Sequence, residues 1–311
     1  MSRLSAIALL AVLSWFAVGL PAAADMRCVP QPDGTRFCLD HPAERIVALA
    51  PHLTEMVYAV GAEHALLAVV SHSDYPAAAR DLPIIGDYRN LNFEAILRLQ
   101  PDLILAWDNG NPAAQIDRLL KLGLPVWISP GRRFDDVPST LRHLGTLTGK
   151  EETAEQVARN FETRVEAITH AYQHRPRLKG FFEIWPTPLI TVGPNHYISE
   201  AMDRCGIDNI VTDGLGDTPT WSEEAVIRAA PDVIISSPPA RDFDRWRRWT
   251  DLPAVKHEGL IIMPPDILMR AGPRLVDALE VLCEAAEQVR KRRQSTTPRL
   301  KAGACGKQVR G

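Results

Sequence analysis

This chain is poor in the signatures that announce chemistry. It contains no Gly-x-Gly-x-x-Gly and no Gly-x-Ser-x-Gly. Gly149-Lys150 is followed by Glu151 and lacks the upstream glycine of a phosphate loop. Dinucleotide binding, a serine nucleophile on a strand–helix elbow and P-loop phosphate chemistry are therefore not indicated. There is no Cys-x-x-Cys, which argues against a structural zinc site. Histidines such as His72, His170, His174 and His196 are scattered. Acidic residues are absent from positions 290–311, which hold eight basic ones. Aromatics make up only 6% of the chain, so the places where Tyr and Trp gather carry information.

What is present first is an address. Arg3, the apolar run Ala6–Leu20 and the small residues Ala22–Ala24 predict a signal peptide over 1–24 and a mature start at Asp25. The run is shorter than the roughly 20 residues of a membrane span. No cysteine follows the cleavage site directly, and Cys28 comes too late to carry a lipid anchor. An exported, soluble, periplasmic protein is expected. Five cysteines fit an oxidising compartment. Cys28 and Cys38 bracket a turn-like PQPDGTR segment within 25–42 and can staple a hairpin. A Cys205–Cys283 bridge would close a long loop, worth about 4 kcal/mol in the chain-entropy model. Reduced thiols are the alternative, and Cys305 is left over in the tail. The body, 25–289, has 26 basic and 38 acidic residues, a net of −12. That balance excludes a nucleic-acid platform. The basic segment 291–311 reads as a disordered tail.

A twelve-residue pattern occurs twice, with Glu, Ala, Arg, Pro, Asp and one Ile at identical offsets. Glu94–Leu105 reads EAILRLQPDLIL and Glu224–Ile235 reads EAVIRAAPDVII. Each copy has helical spacing, then a Pro-Asp stop, then an apolar run fit for a buried parallel strand. Strands and helices alternate around these copies, which predicts α/β architecture with parallel sheets. Two Rossmann-like lobes are expected, over 43–149 and 177–290. Between them, 150–176 contains an uninterrupted helical stretch, Lys150–Tyr172, about 35 Å long at 1.5 Å per residue. Such a helix is a strut rather than a hinge. Thr54 is expected to cap the first helix, Pro83–Gly86 to form a short strand, Arg241–Trp249 a Trp-rich helix and Pro273–Arg290 the last helix.

In open α/β sheets, ligands sit beyond the carboxyl ends of strands. His52, Asp74, Tyr75, Tyr88 and Trp107 stand there in the first lobe. Trp185, Trp221, Asp266 and Arg270 stand there in the second. This set is aromatic and weakly charged, and it suits a bulky ligand with apolar faces and polar edges. For any single aromatic, lobe packing is the competing explanation. With no nucleophile or acid–base constellation, an exported enzyme is disfavoured.

Several of these segments are similar to one family. RIVALAPHLTE (45–55), SDYP (73–76), NLNFEAILRLQPDLILAW (90–107), NGNPAAQ (109–115), RCGIDNI (204–210), WSEEAVIRAAPDVII (221–235) and MRAGPRL (269–275) resemble the periplasmic binding proteins of cobalamin and iron-siderophore ABC importers. Within that family the chain most resembles the cobalamin (vitamin B12) binding proteins. The resemblance covers about 43–290. It implies two lobes joined by one long helix, cobalamin as transported ligand rather than cofactor, no enzymatic activity and a monomer. It implies that Tyr75 and Trp107 are cage aromatics, and that Tyr88 replaces a Trp. Asp266 and Arg270 would reach corrin side chains. A family Trp falls at Thr218 here, with Trp221 three residues later. Glu94 and Glu224 would dock the lobes onto the permease dimer. Cys205 and Cys283 match a family disulfide. A ferric siderophore or haem on the same scaffold is the alternative. The first would want several cleft arginines, and the second a Tyr or His ligand such as Tyr75, Tyr88 or His52.

Overall fold

The computed structural model describes residues 26–87, 89–213, 216–237 and 243–296. The expected signal segment, Tyr88 and Cys305 lie outside the described residues. An N-terminal hairpin comes first. Strands β1 (Arg27–Pro30) and β2 (Arg36–Leu39) run antiparallel, with Cys28 opposite Cys38 and the two bonded. The hairpin is pinned to the first lobe by Trp127, whose Nε1 donates to the Pro30 carbonyl at 3.0 Å.

The first lobe follows as β3 (Ile46–Ala48), α1 (Pro51–Ala59), β4 (Leu66–Val69), α2 (Phe93–Leu99), β5 (Leu103–Trp107), α3 (Ala113–Lys121), β6 (Val126–Ser129) and α4 (Asp136–Thr148). Its four strands are parallel in the order β4-β3-β5-β6. After α5 (Glu151–Tyr172), the second lobe runs β7 (Leu178–Glu183), a small hairpin β8 (Trp185–Pro186) and β9 (Leu189–Ile190), α6 (Tyr197–Arg204), β10 (Ile207–Asn209), α7 (Glu223–Ala229), β11 (Val233–Ser236), α8 (Asp244–Arg247), α9 (Pro253–Lys256), β12 (Leu260–Ile262), α10 (Pro265–Leu268) and α11 (Leu275–Thr296). Its main sheet is again parallel, β10-β7-β11-β12. The two sheets thus share one order, with β3 and β7, and β5 and β11, in matching places.

Alternate residues of these strands are buried on opposite faces, so each sheet needs cover on both sides. Phe181 and Ile234 face one layer of the second lobe, while Phe182, Val233 and Ile235 face the other. The inner layer is continuous from lobe to lobe because α5 runs through it. Ala154, Ala158, Phe161 and Val165 form the buried stripe of α5 at helical spacing. Phe161 meets Phe134 with ring centroids 6.2 Å apart. Helices α4 and α5 cross closely at Gly145, where an added Cβ would come within 2.5 Å of the Ala154 methyl. The second disulfide, Cys205–Cys283, ties the end of α6 to α11.

Local expectations fail in four places. Helix α1 starts at Pro51, and Ala50 takes the cap position with no side-chain hydrogen bond. Thr54 is inside the helix, donating to Ser73 Oγ at 3.2 Å. A proline at the first helical turn moved the start upstream. Pro83–Gly86 forms bridges, Val69 with Ile84 and Gly86 with Leu91, rather than a strand. Of the expected helix Arg241–Trp249, positions 241 and 242 lie outside the described residues, and α8 covers Asp244–Arg247. The last helix continues to Thr296, past the expected start of the tail. Two ion pairs hold that extension on the lobe: Arg292 to Glu258 at 3.3 Å and Arg293 to Asp232 at 2.8 Å.

The repeat is one structural unit built twice. Asn92 and Ser222 cap α2 and α7, accepting from the backbone N–H of Ala95 and Ala225. Glu94 and Glu224 occupy the second helical position of each. Both helices end on a left-handed residue, Gln100 at φ 45° and Ala230 at φ 48°. The Asp after each proline then clamps the start of the central strand of its sheet. Asp102 accepts from Glu44 N and Arg45 N at 2.9 Å, and Asp232 from Lys179 N at 2.9 Å. A side chain in the left-handed region costs about 1–2 kcal/mol, against the roughly 0.5–1 kcal/mol of entropy that glycine loses. Gln100→Gly and Ala230→Gly should therefore each stabilise the protein by about 0.5–1 kcal/mol. Urea titration followed by tryptophan fluorescence reads this as a raised midpoint. A lowered midpoint would show that the two side chains contribute more than their backbone strain costs.

Candidate functional site

The carboxyl edges of the two sheets face each other. Residues just beyond β3, β4 and β6 touch residues just beyond β10 and β12, and the seam between them is the candidate site. Its centre is Glu55, which extends from α1 with a side chain only 2% exposed. Glu55 Oε1 accepts from Arg270 at 2.9 Å and from Arg274 at 2.8 Å, and its Oε2 accepts from Arg274 Nε at 2.9 Å. Both arginines belong to the other lobe, in the loop between α10 and α11. Arg270 also reaches Asp74 at 2.9 Å and donates to the His72 carbonyl at 2.9 Å. Arg274 also reaches Asp266 at 3.0 Å. The Glu55 carboxylate beside Arg274 raises that guanidinium above its ordinary range. Taking ions out of water is costly, and only a fully hydrogen-bonded set like this offsets it.

A second, more exposed bracket lies past β6. Arg132 binds Asp108 of its own lobe at 3.3 Å and Asp217 of the other at 3.0 Å. Nearby, Phe134 N donates across the seam to Glu200 at 3.1 Å.

The expected site residues fall into three groups. Tyr75, Asp266 and Arg270 come together: the Arg274 guanidinium lies 3.8 Å over the Tyr75 ring, and Arg274 binds Asp266. Tyr75 is 46% exposed, so its outer face is free for contact. A cavity of about 330 Å³ opens beside it, lined by Glu55, Tyr58, Ala59, Tyr75, Pro76, Pro273 and Arg274.

His52 and Trp107 form a second group below. Their rings meet edge to face at 4.9 Å. Trp107 is half-buried against Gly110 and Gly131, where an added Cβ would lie 1.9 Å and 2.5 Å from its ring. No side chain but glycine's fits there. His52 is buried, and its Nε2, like Trp107 Nε1, has no hydrogen-bond partner among the described residues. Burial and then the nearby Arg270 charge pull the His52 imidazole down to about 3, so it is neutral. His52 therefore supports Trp107 from beneath rather than presenting a charge.

The third group stands apart. Trp185 is exposed on β8 of the second lobe. Trp221 is partly buried. Its ring packs 6.1 Å from Phe181 in the outer core layer, and its backbone N–H donates to the Leu189 carbonyl at 2.9 Å. Glu94 and Glu224 are exposed and make no ion pair among the described residues.

Glu55, Arg274 and the Arg132 bracket were not singled out from sequence. One signal was available for Glu55: it is a lone acid amid Leu53, Met56, Val57 and Val60, where a helix should be wholly apolar. An acid in that setting needs a cation partner.

Comparison with known proteins places this geometry. A family model described as "Periplasmic binding protein" matches residues 46–267. The vitamin B12-binding protein of Vibrio campbellii is 34% identical over 254 residues, 81% of this chain and 92% of that protein. The vitamin B12-binding protein of Pectobacterium atrosepticum is 33% identical over 256 residues, 79% and 90% of the two chains. Among solved structures, the periplasmic vitamin B12 binding protein of Vibrio cholerae superposes with a TM-score of 0.75 at 33% identity, covering 80% of this chain and 99% of that one. A periplasmic heme-binding protein from Roseiflexus gives 0.71 at 25% identity, covering 79% and 99%.

Two outcomes test the site as drawn. Trp107→Ala, which empties the nest between His52 and the two glycines, should cost about 3 kcal/mol of stability. Tyr75→Ala, at an exposed ring, should leave stability nearly unchanged, and equal losses in thermal unfolding would contradict this layering. The second outcome concerns pH. The unfolded chain protonates His52 near pH 6.5 while the folded chain does not until about 3. Stability from this group is therefore complete above pH 6.5 and is lost as pH falls through that window, at up to about 1.4 kcal/mol per unit. His52→Gln should lose about 2 kcal/mol less than wild type between pH 7 and pH 5. Parallel pH curves for the two proteins would mean that His52 titrates normally.

Proposed function

The chain belongs to the periplasmic binding protein family, and from that premise we propose that it is the soluble subunit of an ABC importer that captures cobalamin, or a related corrinoid, between its lobes. The observation that carries this reading is the seam itself. Two lobes are held by a stiff helix and by ion pairs at Glu55 and Arg132, with an exposed aromatic face at Tyr75. Such a cleft presents flat apolar surface with polar edges, which matches a macrocycle fringed with amides. It also changes shape little on binding. The similarity to vitamin B12-binding proteins at about one-third identity over four-fifths of the chain supports the ligand class.

Within this reading Tyr75, Tyr88, Trp107 and Trp185 contribute aromatic faces, and Asp266 and Arg270 contribute polar edges. Glu94 and Glu224, one per lobe at equivalent helix starts, dock onto cations of the two permease subunits. The protein works as a monomer in the periplasm, released from a leader that ends near Ala24. Haem is the second reading, favoured by the exposed Tyr75 beside the cavity and by the haem-binding structural relative.

Two measurements decide. Calorimetry with cyanocobalamin should give a dissociation constant of about 1 µM or tighter, about −8 kcal/mol. Absence of heat with cyanocobalamin and tight binding of haem would overturn the corrinoid reading. Glu94→Lys with Glu224→Lys should leave ligand affinity intact and abolish uptake through the partner permease, because removing one side of an interfacial charge pair costs about 2–5 kcal/mol. Normal uptake would reduce the repeated glutamates to helix-start residues favoured by the dipole.

A further inference from the structure

Taking the cleft as the chelate site proposed above, we infer that Glu55, backed by Asp74 and Asp266, sets the charge class of the ligand: it admits neutral or cationic chelates and rejects anionic ones. Three arginines at the seam are matched by carboxylates, and a fourth, the exposed Arg80, lies beside Asp74 and donates to its carbonyl at 3.3 Å. Arg132 faces Asp108 and Asp217, while Arg270 and Arg274 face Glu55, Asp74 and Asp266. Five carboxylates thus stand with four guanidiniums, a formal excess of one negative charge.

Most of the donors are engaged as well as the charge. Arg274 uses Nε on Glu55, one terminal nitrogen on the Asp266 carboxylate, and the other on Glu55 and the Asp266 carbonyl. Arg270 uses its two terminal nitrogens on Glu55, Asp74 and the His72 carbonyl. Arg274 therefore has both edges engaged, and Arg270 keeps only its Nε–H and one terminal N–H for a carboxylate-bearing ligand. Such a ligand meets Asp74 and Asp266 first, because their side chains are about half exposed while Arg270 and Arg274 are only 14% and 15% exposed. His52 adds no positive charge, being buried and neutral. Like charges brought together across an interface are strongly unfavourable, and a site can select by such repulsion as much as by attraction.

Glu55 is the residue on which this depends. It is the one carboxylate that engages both arginines, and with a side chain 2% exposed it is the most buried member of the group. Replacing it by glutamine keeps the shape and removes the charge. Both guanidiniums then have donor capacity and positive potential to offer.

The experiment uses the purified mature chain and three probes: cyanocobalamin, its tricarboxylic acid in which three side-chain amides are hydrolysed, and haemin. The readout is the ratio of dissociation constants, anionic corrin over neutral corrin, by visible titration. Wild type should bind the tricarboxylic acid about tenfold or more weakly than cyanocobalamin. Glu55→Gln should narrow that ratio by about tenfold or more, and salt should erase its gain. The double variant Asp74→Asn with Asp266→Asn, changed at half-exposed positions, should narrow it in the same direction. A wild-type ratio near one, or an unchanged ratio in folded Glu55→Gln, overturns the inference. If circular dichroism shows that Glu55→Gln does not fold, an unchanged ratio in the double variant overturns it. If wild type binds neither corrinoid, the functional reading fails by itself. The haemin arm then decides: Glu55→Gln, or the double variant in its place, must bind haemin about tenfold more tightly than wild type or the inference falls with it.

Discussion

A carboxylate carried out of water must be met by cations and fully hydrogen-bonded, or the fold cannot contain it. Glu55 is in that position, and its partners come from the opposite lobe, 215 and 219 residues away. This requirement fixes how the two lobes approach. The loop between α10 and α11 has to bring Arg270 and Arg274 over α1, and Gly272 lets it come close, since an added Cβ there would stand 3.3 Å from His52 Cβ. The seam, the cavity beside Tyr75 and the burial of His52 all follow from that approach. The same bond network resists opening, as does α5, whose buried stripe belongs to one core shared by both lobes.

The repeated segment shows how one local solution served twice. A polar cap, an early glutamate, a left-handed end, then proline and aspartate produce a helix that reverses into a strand and clamps the neighbouring strand's start. The aspartates are structural in both copies, because they hold backbone N–H groups of Arg45 and Lys179. The glutamates are different. Each is exposed and none is paired among the described residues, so helix capping alone leaves their carboxylates unused. An outward-facing charge at matching places on two lobes suits a two-fold partner.

The aromatic residues divided by neighbours rather than by type. Tyr75 and Trp185 keep open faces. Trp107 is partly absorbed by His52 and two glycines, and Trp221 is taken up by Phe181. All four stand near strand ends in the sequence. What separates them is whether a facing side chain already covers the ring.

The periodic features were legible in the chain itself: α/β alternation, two lobes, a long uninterrupted helix between them, a repeat, and cysteines placed to bond. These are local, set by the 3.6 and 2.0 residue periods, by proline and by capping side chains. The hairpin disulfide is legible for the same reason, since Cys28 and Cys38 face each other in one register. Helix ends were less legible. Pro51 displaced Thr54 from the cap, and the last helix outran Arg290 because Asp232 and Glu258 hold its basic residues from a distance. The heart of the site was decided only by tertiary structure. Glu55, Asp74, Asp266, Arg270 and Arg274 lie in separate segments, and a charge pair is a relation between positions in space rather than along the chain. Sequence could mark Glu55 as an acid out of place on an apolar helix face, but only the closing of one lobe on the other could supply its arginines.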